Sequence, residues 1–203
     1  SLITGQFEND IFNTEEWNTE IQNYWINNNP EYLVNRFLSL ESSLNLNRVF
    51  ILTTRSSASA SELIINCLDP YIDVIQIGTT TYGKYQASVT LYDSENFSNQ
   101  NINPSHNYAI QPLVLKTLNV LGITDYFNGI NPEYDFEEKV YNMGIIGDLN
   151  EPMLNFTVGL INSRAEINIQ PETLEFVDDN FKFDFLKREM YIENKEIKIK
   201  DDA

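Results

Sequence analysis

Two short stretches of this 203-residue chain carry side chains able to break a covalent bond. One, Ser56-Ser57-Ala58-Ser59-Ala60-Ser61-Glu62, crowds hydroxyls ahead of an apolar run; the other, Thr79-Thr80-Thr81-Tyr82-Gly83-Lys84, ends on an amine. A serine hydroxyl attacks a carbonyl only after something takes its proton, and the usual base is histidine. The one histidine, His106, sits in the polar stretch Asn103-Pro104-Ser105-His106-Asn107 with no acid aligned to orient it, and reads as a solvated loop residue. That leaves lysine as the candidate base. Lysine serves only if desolvation and nearby positive potential bring its pKa down. A helix N-terminus supplies such potential, and its N–H groups also suit a developing oxyanion. Both residues have plainer readings. Ser59-Ala60-Ser61-Glu62 fits a capping box, and a lone lysine most often faces water, so residue types alone do not decide.

The elements that would position these groups are legible around them. Val49-Phe50-Ile51-Leu52 reads as a buried strand, residues 59–69 as a helix that stops before Pro70, and residues 72–77 as a second buried strand ended by Gly78. Two apolar strands joined by one short helix make a βαβ unit, which requires parallel strands and a right-handed crossover. The fold class is therefore α/β. In such a sheet the loops at the carboxyl ends of the strands collect ligands and catalytic groups, and both reactive stretches are such loops. Ser59 and Lys84 can thus meet although 25 positions separate them.

Around this unit, residues 1–48 read as helical or irregular cover, from the spacing of Trp17, Ile21, Tyr24 and Trp25 and again of Tyr32, Leu33, Phe37 and Leu38. Residues 87–92 and 108–121 read as edge strands, and residues 152–161 as a helix with Met153, Leu154, Val158 and Ile161 on one face. The expected division is a core over residues 1–162 and a C-terminal extension over 163–203. In that extension Phe181, Phe183 and Phe185, then Ile197 and Ile199, alternate with polar residues as strands do.

Composition bounds the function. Thirteen Lys and Arg against 30 Asp and Glu give a formal charge of -17, which repels phosphate backbones and removes nucleic acid from the expected partners. A single cysteine, Cys67, excludes an internal disulfide and any multi-cysteine metal centre, and its apolar neighbours place it in the core. Asp178, Asp179 and Asp184 form an acidic cluster that lacks the glycine and spacing of a calcium loop. No apolar run approaches the roughly 20 residues that span a bilayer. The chain starts at Ser1 rather than methionine, so a processed chain or a piece of something longer is expected.

The stretch Val49 to Val89 resembles the C-terminal processing, or tail-specific, serine peptidases. Their core has a strand, a small-residue loop of the type Ser-Ala-Ser-Glu, a helix, a strand, then Thr-Tyr/Phe-Gly-Lys; here Ser59-Ala60-Ser61-Glu62 and Thr81-Tyr82-Gly83-Lys84 stand at the matching spacing. Residues 1–4, 125–129 and 147–152 are similar to envelope members from Bacteroidetes-type bacteria. The resemblance implies Ser59 as nucleophile, Lys84 as general base, Ala60 N–H as an oxyanion donor and Glu62 as a helper near the dyad. It also implies a ClpP/crotonase-like core, protein or peptide substrates cut near their C-termini, no metal or organic cofactor, and a cell-envelope, periplasmic or extracellular location.

The chain departs from the family at two points. Ser88 stands where many members carry a glutamine that orients the lysine, and the upstream strand with Asp-Leu-Arg and Gly-Gly elements that completes the oxyanion hole is not found, nor is a PDZ domain. The expectation is a C-terminal fragment whose missing N-terminal part is a natural partner. The alternative is a catalytically inactive peptide-binding or scaffold domain of the same fold, with Ser59 only capping its helix and Lys84 facing water.

Overall fold

The structure, a computed structural model, describes residues 2–3, 5–162 and 190–191. In chain order the elements are β1 (Ile11–Trp17), α1 (Thr19–Asn28), β2 (Val34–Arg36), β3 (Arg48–Thr53), α2 (Ala60–Leu68), β4 (Asp73–Gly78), β5 (Gln86–Ser88), β6 (Leu91–Tyr92), β7 (Ala109–Ile110), β8 (Leu113–Leu118), β9 (Tyr134–Asp135), α3 (Pro152–Asn162) and β10 (Met190–Tyr191). Strand and helix mix as an α/β chain should. The expected βαβ unit is present as β3-α2-β4, with β3 and β4 parallel and in continuous register from Arg48 opposite Asp73 to Thr53 opposite Gly78. The short strand β9 adds to the far side of β4, also parallel, opposite Ile77 and Gly78.

Helix α2 is held by its apolar face. Ile65 and Leu68 join Ile72, just before β4, and Val74 within it, with Ile3 and Phe37 from the N-terminal segment closing the cluster. Phe37 also meets Tyr71 edge-on at 5.1 Å and Phe12 at 5.3 Å between ring centroids, a geometry that aromatic quadrupoles favour. Cys67 is fully buried beside them, as expected. Burial disfavours its thiolate and pushes the thiol up to about 12.

The N-terminal segment differs from the expected helical cover. Residues 11–17 form β1, near the centre of a five-stranded sheet ordered β10-β5-β8-β1-β2, antiparallel to both β8 and β2. The reason is a polar buried face: Asn13, Glu15 and Trp17 point inward. Glu15 accepts from Trp17 Nε1 at 2.9 Å and from Asn35 Nδ2 at 3.1 Å, and Asn35 also donates to Asn13. Hydrogen bonds across strands thus replace the apolar alternation that marks most strands. The helix suggested by Ile21, Tyr24 and Trp25 is α1, capped by Asn18, whose side chain accepts from Ile21 N. Its Trp25 packs with Trp17, Leu33, Ala87 and Leu115 on the sheet. The second expected helix, around Tyr32 to Leu38, is only a 3-10 turn over Pro30–Leu33 before β2 begins.

The expected edge strands break up. Residues 86–92 divide into β5, in the five-stranded sheet, and β6, which pairs with β7 in a small ribbon of its own. Helix α3 forms, but it buries Met153 and Thr157, while Ile161 is exposed. Buried Glu151 caps it, accepting from Met153 N and Leu154 N, and Phe156 stacks against Tyr134 and Phe136. Of the C-terminal residues, Met190 and Tyr191 run parallel to β5. The expected strands at 181–185 and 197–199 and the cluster Asp178, Asp179 and Asp184 lie outside the described residues.

Candidate active site

Past the end of β3 the chain turns on its own hydrogen bonds: Ser57 N donates to Thr54 O at 2.9 Å and Thr54 N to Ser57 Oγ at 3.0 Å. Ser59 follows with φ 59° and ψ -110°. That region suits glycine, and holding another residue there costs about 1–3 kcal/mol, a strain that clusters at active sites. Ser59 is 4% exposed and its buried Oγ has no full hydrogen bond among the described residues. The expected capping box is present: the Ser59 side chain faces the Glu62 N–H and the Glu62 carboxyl faces the Ser59 N–H. Ser59 N donates to Glu62 Oε2 at 2.8 Å, while the Ser59 hydroxyl approaches the Glu62 N–H without a full hydrogen bond. Ala60 then opens α2, at a turn where N–H groups have no intrahelical acceptor.

Glu62 is fully buried. Its Oε2 accepts from Ser59 N and from Lys84 N, each at 2.8 Å, and its Oε1 accepts from Thr81 Oγ1 and Gly83 N. A carboxylate has about four acceptor sites, so four donors fill them. Glu62 is therefore a brace between the two reactive loops, with no capacity left to take a proton from Ser59. Because one oxygen holds both amides, the backbones of Ser59 and Lys84 are at most twice one hydrogen-bond length apart. Lys84 itself is half-buried. The Ser59 hydroxyl and the Lys84 amine are not hydrogen-bonded to each other in this arrangement. Ser88, four residues on, is fully buried within β5.

A third segment backs the lysine loop. Thr81 N donates to Ile130 O at 3.1 Å, Ile130 N donates to Thr81 Oγ1 at 2.8 Å, and Thr80 Oγ1 donates to Asn131 Oδ1 at 2.9 Å. The approach is close enough to need glycine on both sides. A Cβ on Gly83 (φ +93°) would lie 2.2 Å from Phe127 O, and one on Gly129 (φ +87°) 2.1 Å from Thr81 O.

At the carboxyl edge of β3, β4 and β9 a cleft of about 450 Å³ opens between Arg55, Thr79, Thr80, Thr81, Tyr82 and Asp135. Its walls are the Ser59 and Lys84 loops, although neither Ser59 nor Lys84 lines it. Among the described residues, no three His, Cys, Asp or Glu side chains converge as metal ligands would. His106 stays in an exposed loop, as expected, yet an acid does face it: its Nε2 lies 3.1 Å from Asp93 Oδ2. Thirteen residues separate the two, so the pairing depends on the loop's fold.

The sequence singled out Ser59, Glu62 and Lys84 as site residues; it placed Thr81 and Gly83 in the lysine motif and Gly129 in a turn, with no role in the site for any of the three. The available signals were Gly83 just before the lysine and the turn chemistry of Gly129-Ile130-Asn131-Pro132, since such glycines mark positive φ or close approach.

No protein-family model matches the chain, and no curated protein matches it. A solved structure does: a protein assigned as an S41 protease in Bacteroides fragilis, with a TM-score of 0.60 and 23% identity over 79% of this chain. Over that stretch this chain has the same fold as that protein. This chain spans 38% of the length of that protein. A photosystem II D1 C-terminal processing protease also matches, at 18% identity over 58% of this chain and 27% of its own, but its TM-score of 0.38 is too low for any inference. Among the described residues no helix is long and apolar enough to cross a membrane.

Proposed function

We propose that this chain is the catalytic segment of a serine peptidase in which Ser59 is the nucleophile and Lys84 the general base. The observation that carries this reading is Ser59 itself: a strained residue at a helix N-terminus, its buried hydroxyl held by no full hydrogen bond among the described residues, with its amide tied through Glu62 to the amide of Lys84. Neutral Lys84 takes the Ser59 proton as Oγ attacks the scissile carbonyl, and the Ala60 N–H faces the developing oxyanion. The protonated lysine gives its proton to the leaving amine, leaving an acyl-serine. Lys84 then deprotonates a water, which hydrolyses the ester and frees Ser59. The substrate class, proteins or peptides cut near their C-termini, is carried by the resemblance of residues 49–89, and the cell-envelope, periplasmic or extracellular location by the similarity of residues 1–4, 125–129 and 147–152 to envelope members. Upstream elements of the longer enzyme complete the oxyanion hole, and Ser88 replaces the orienting glutamine with a shorter side chain.

A second reading has its own observation. Ser59 Oγ is buried and not bonded to Lys84, which also suits a peptide-binding domain without turnover. A fluorophosphonate probe applied to the longest natural form of the protein separates the two. The peptidase reading expects one label on Ser59, lost in Ser59→Ala and Lys84→Ala, together with cleavage of peptides near a free C-terminus. Peptide binding with neither label nor cleavage would establish the binding domain instead.

A further inference from the structure

We propose that Thr81 is a positioning residue, whose hydroxyl locks the Glu62 carboxyl between the Ser59 and Lys84 loops and so fixes where Lys84 stands relative to Ser59. This role deepens the peptidase reading and rests on it for its kinetic consequence.

Thr81 is 5% exposed. Its single hydroxyl hydrogen goes to Glu62 Oε1, while its oxygen accepts from Ile130 N. The direction of that relay is forced: Ile130 N–H can only donate, so the Thr81 proton is left for the carboxyl. A β-branched side chain is stiff at χ1, and the backbone of Thr81 is itself bonded to Ile130 O. The hydroxyl therefore cannot follow the carboxyl if it turns.

Such a stop matters because the terminal torsion of a glutamate is broad and soft. Rotation about it would carry Oε2 away from the two amides it joins, those of Ser59 and Lys84. The Gly83 amide holds Oε1 from the same loop that must be positioned, whereas Thr81 brings an anchor from the 129–131 segment behind that loop. Thr81 acts through Glu62 and has no contact with reacting atoms.

The test compares Thr81→Val, which keeps the shape and loses the hydroxyl, with Thr81→Ser, which keeps the hydroxyl. Residue-resolved amide exchange on the full chain is expected to show Ser59, Gly83 and Lys84 exchanging about tenfold faster or more in Thr81→Val, the effect of one lost charge-assisted bond. Thr81→Ser should stay near wild type, and the β3–β4 ladder should be unchanged in both. Unchanged protection at the three amides, equal damage in Thr81→Ser, or loss spread over the ladder would each overturn the role. In the longer enzyme, the limiting rate of Ser59 acylation by a fluorophosphonate should fall about 10- to 100-fold in Thr81→Val, with the half-saturating concentration kept and Thr81→Ser restoring the rate. Wild-type acylation by Thr81→Val would also overturn it. If wild type does not label at all, the peptidase reading fails, and the exchange result still decides what Thr81 does to the loops.

Discussion

Ser59 occupies backbone space in which a side chain is a cost, and its hydroxyl is buried without a full hydrogen bond among the described residues. Both features weigh against stability, so substitution there should separate stability from activity. Ser59→Gly relieves the strain and removes the orphan hydroxyl, while glycine at a helix N-cap loses little. We expect it to raise unfolding stability by about 1–3 kcal/mol, read as a higher urea midpoint at unchanged slope, with no acylation remaining. A lower midpoint would mean that the serine side chain makes a stabilising contact. Glu62→Gln should do the opposite. An amide presents one acceptor oxygen and a donor nitrogen to four donors, so at least one pair of buried N–H or O–H groups faces another donor. The expected loss is about 2–4 kcal/mol. Ser59 and Lys84 stood out as candidates only through the motif resemblance of residues 49–89, whereas the Ser59–Glu62 contact was legible because a capping pattern is local. The other three bonds of Glu62 were invisible in the sequence, since they reach across 19 to 22 residues.

Elements hold the site through contact between loops. Gly83, Gly122 and Gly129 all have positive φ, yet only Gly83 and Gly129 press against opposing backbone, and Gly122 has nothing within 4 Å of where a Cβ would stand. Alanine at 122 should therefore cost only its conformational penalty, about 1 kcal/mol. Alanine at 83 or 129 must in addition push two loops apart, for a total of about 3 kcal/mol or more, with loss of acylation. Thermal melts of the three variants make the comparison, and equal shifts would show that the loops are not in close approach. The β3-α2-β4 unit was legible because two apolar runs bracket a helix with clear end signals. Strand β1 was not, because Asn13 and Glu15 fill its inward face and find their partners on β2 and in Trp17. Periodicity of hydrophobic residues cannot reveal a strand whose buried positions are satisfied by hydrogen bonds. Tyr32 to Phe37 misled in the other direction: their helical spacing comes from packing on two surfaces, Leu33 with the Trp17–Trp25 cluster and Phe37 with the α2 core.

At the scale of the molecule, titration couples the core to the charge on the surface. Burial raises Cys67 from an ordinary 9.0 to about 12, and it raises Tyr126 well above the usual tyrosine range. Groups raised in the folded state keep protons that the unfolded chain releases once pH passes their ordinary values. For Cys67 the stabilising effect is thus complete below about pH 9 and is lost as pH rises towards 12, at about 1.4 kcal/mol per pH unit, and for Tyr126 the loss begins about one pH unit higher. A formal charge of -17 adds self-repulsion that also grows as lysines lose their protons. Salt separates the two contributions, because it screens surface charge and leaves burial untouched. We therefore expect the fall in thermal midpoint between pH 9 and 11 to persist at high salt, and Cys67→Ala to make that fall shallower even though the smaller side chain lowers the midpoint at neutral pH. An unchanged slope in Cys67→Ala would show that the thiol titrates as it does in water, and that water reaches the α2 core.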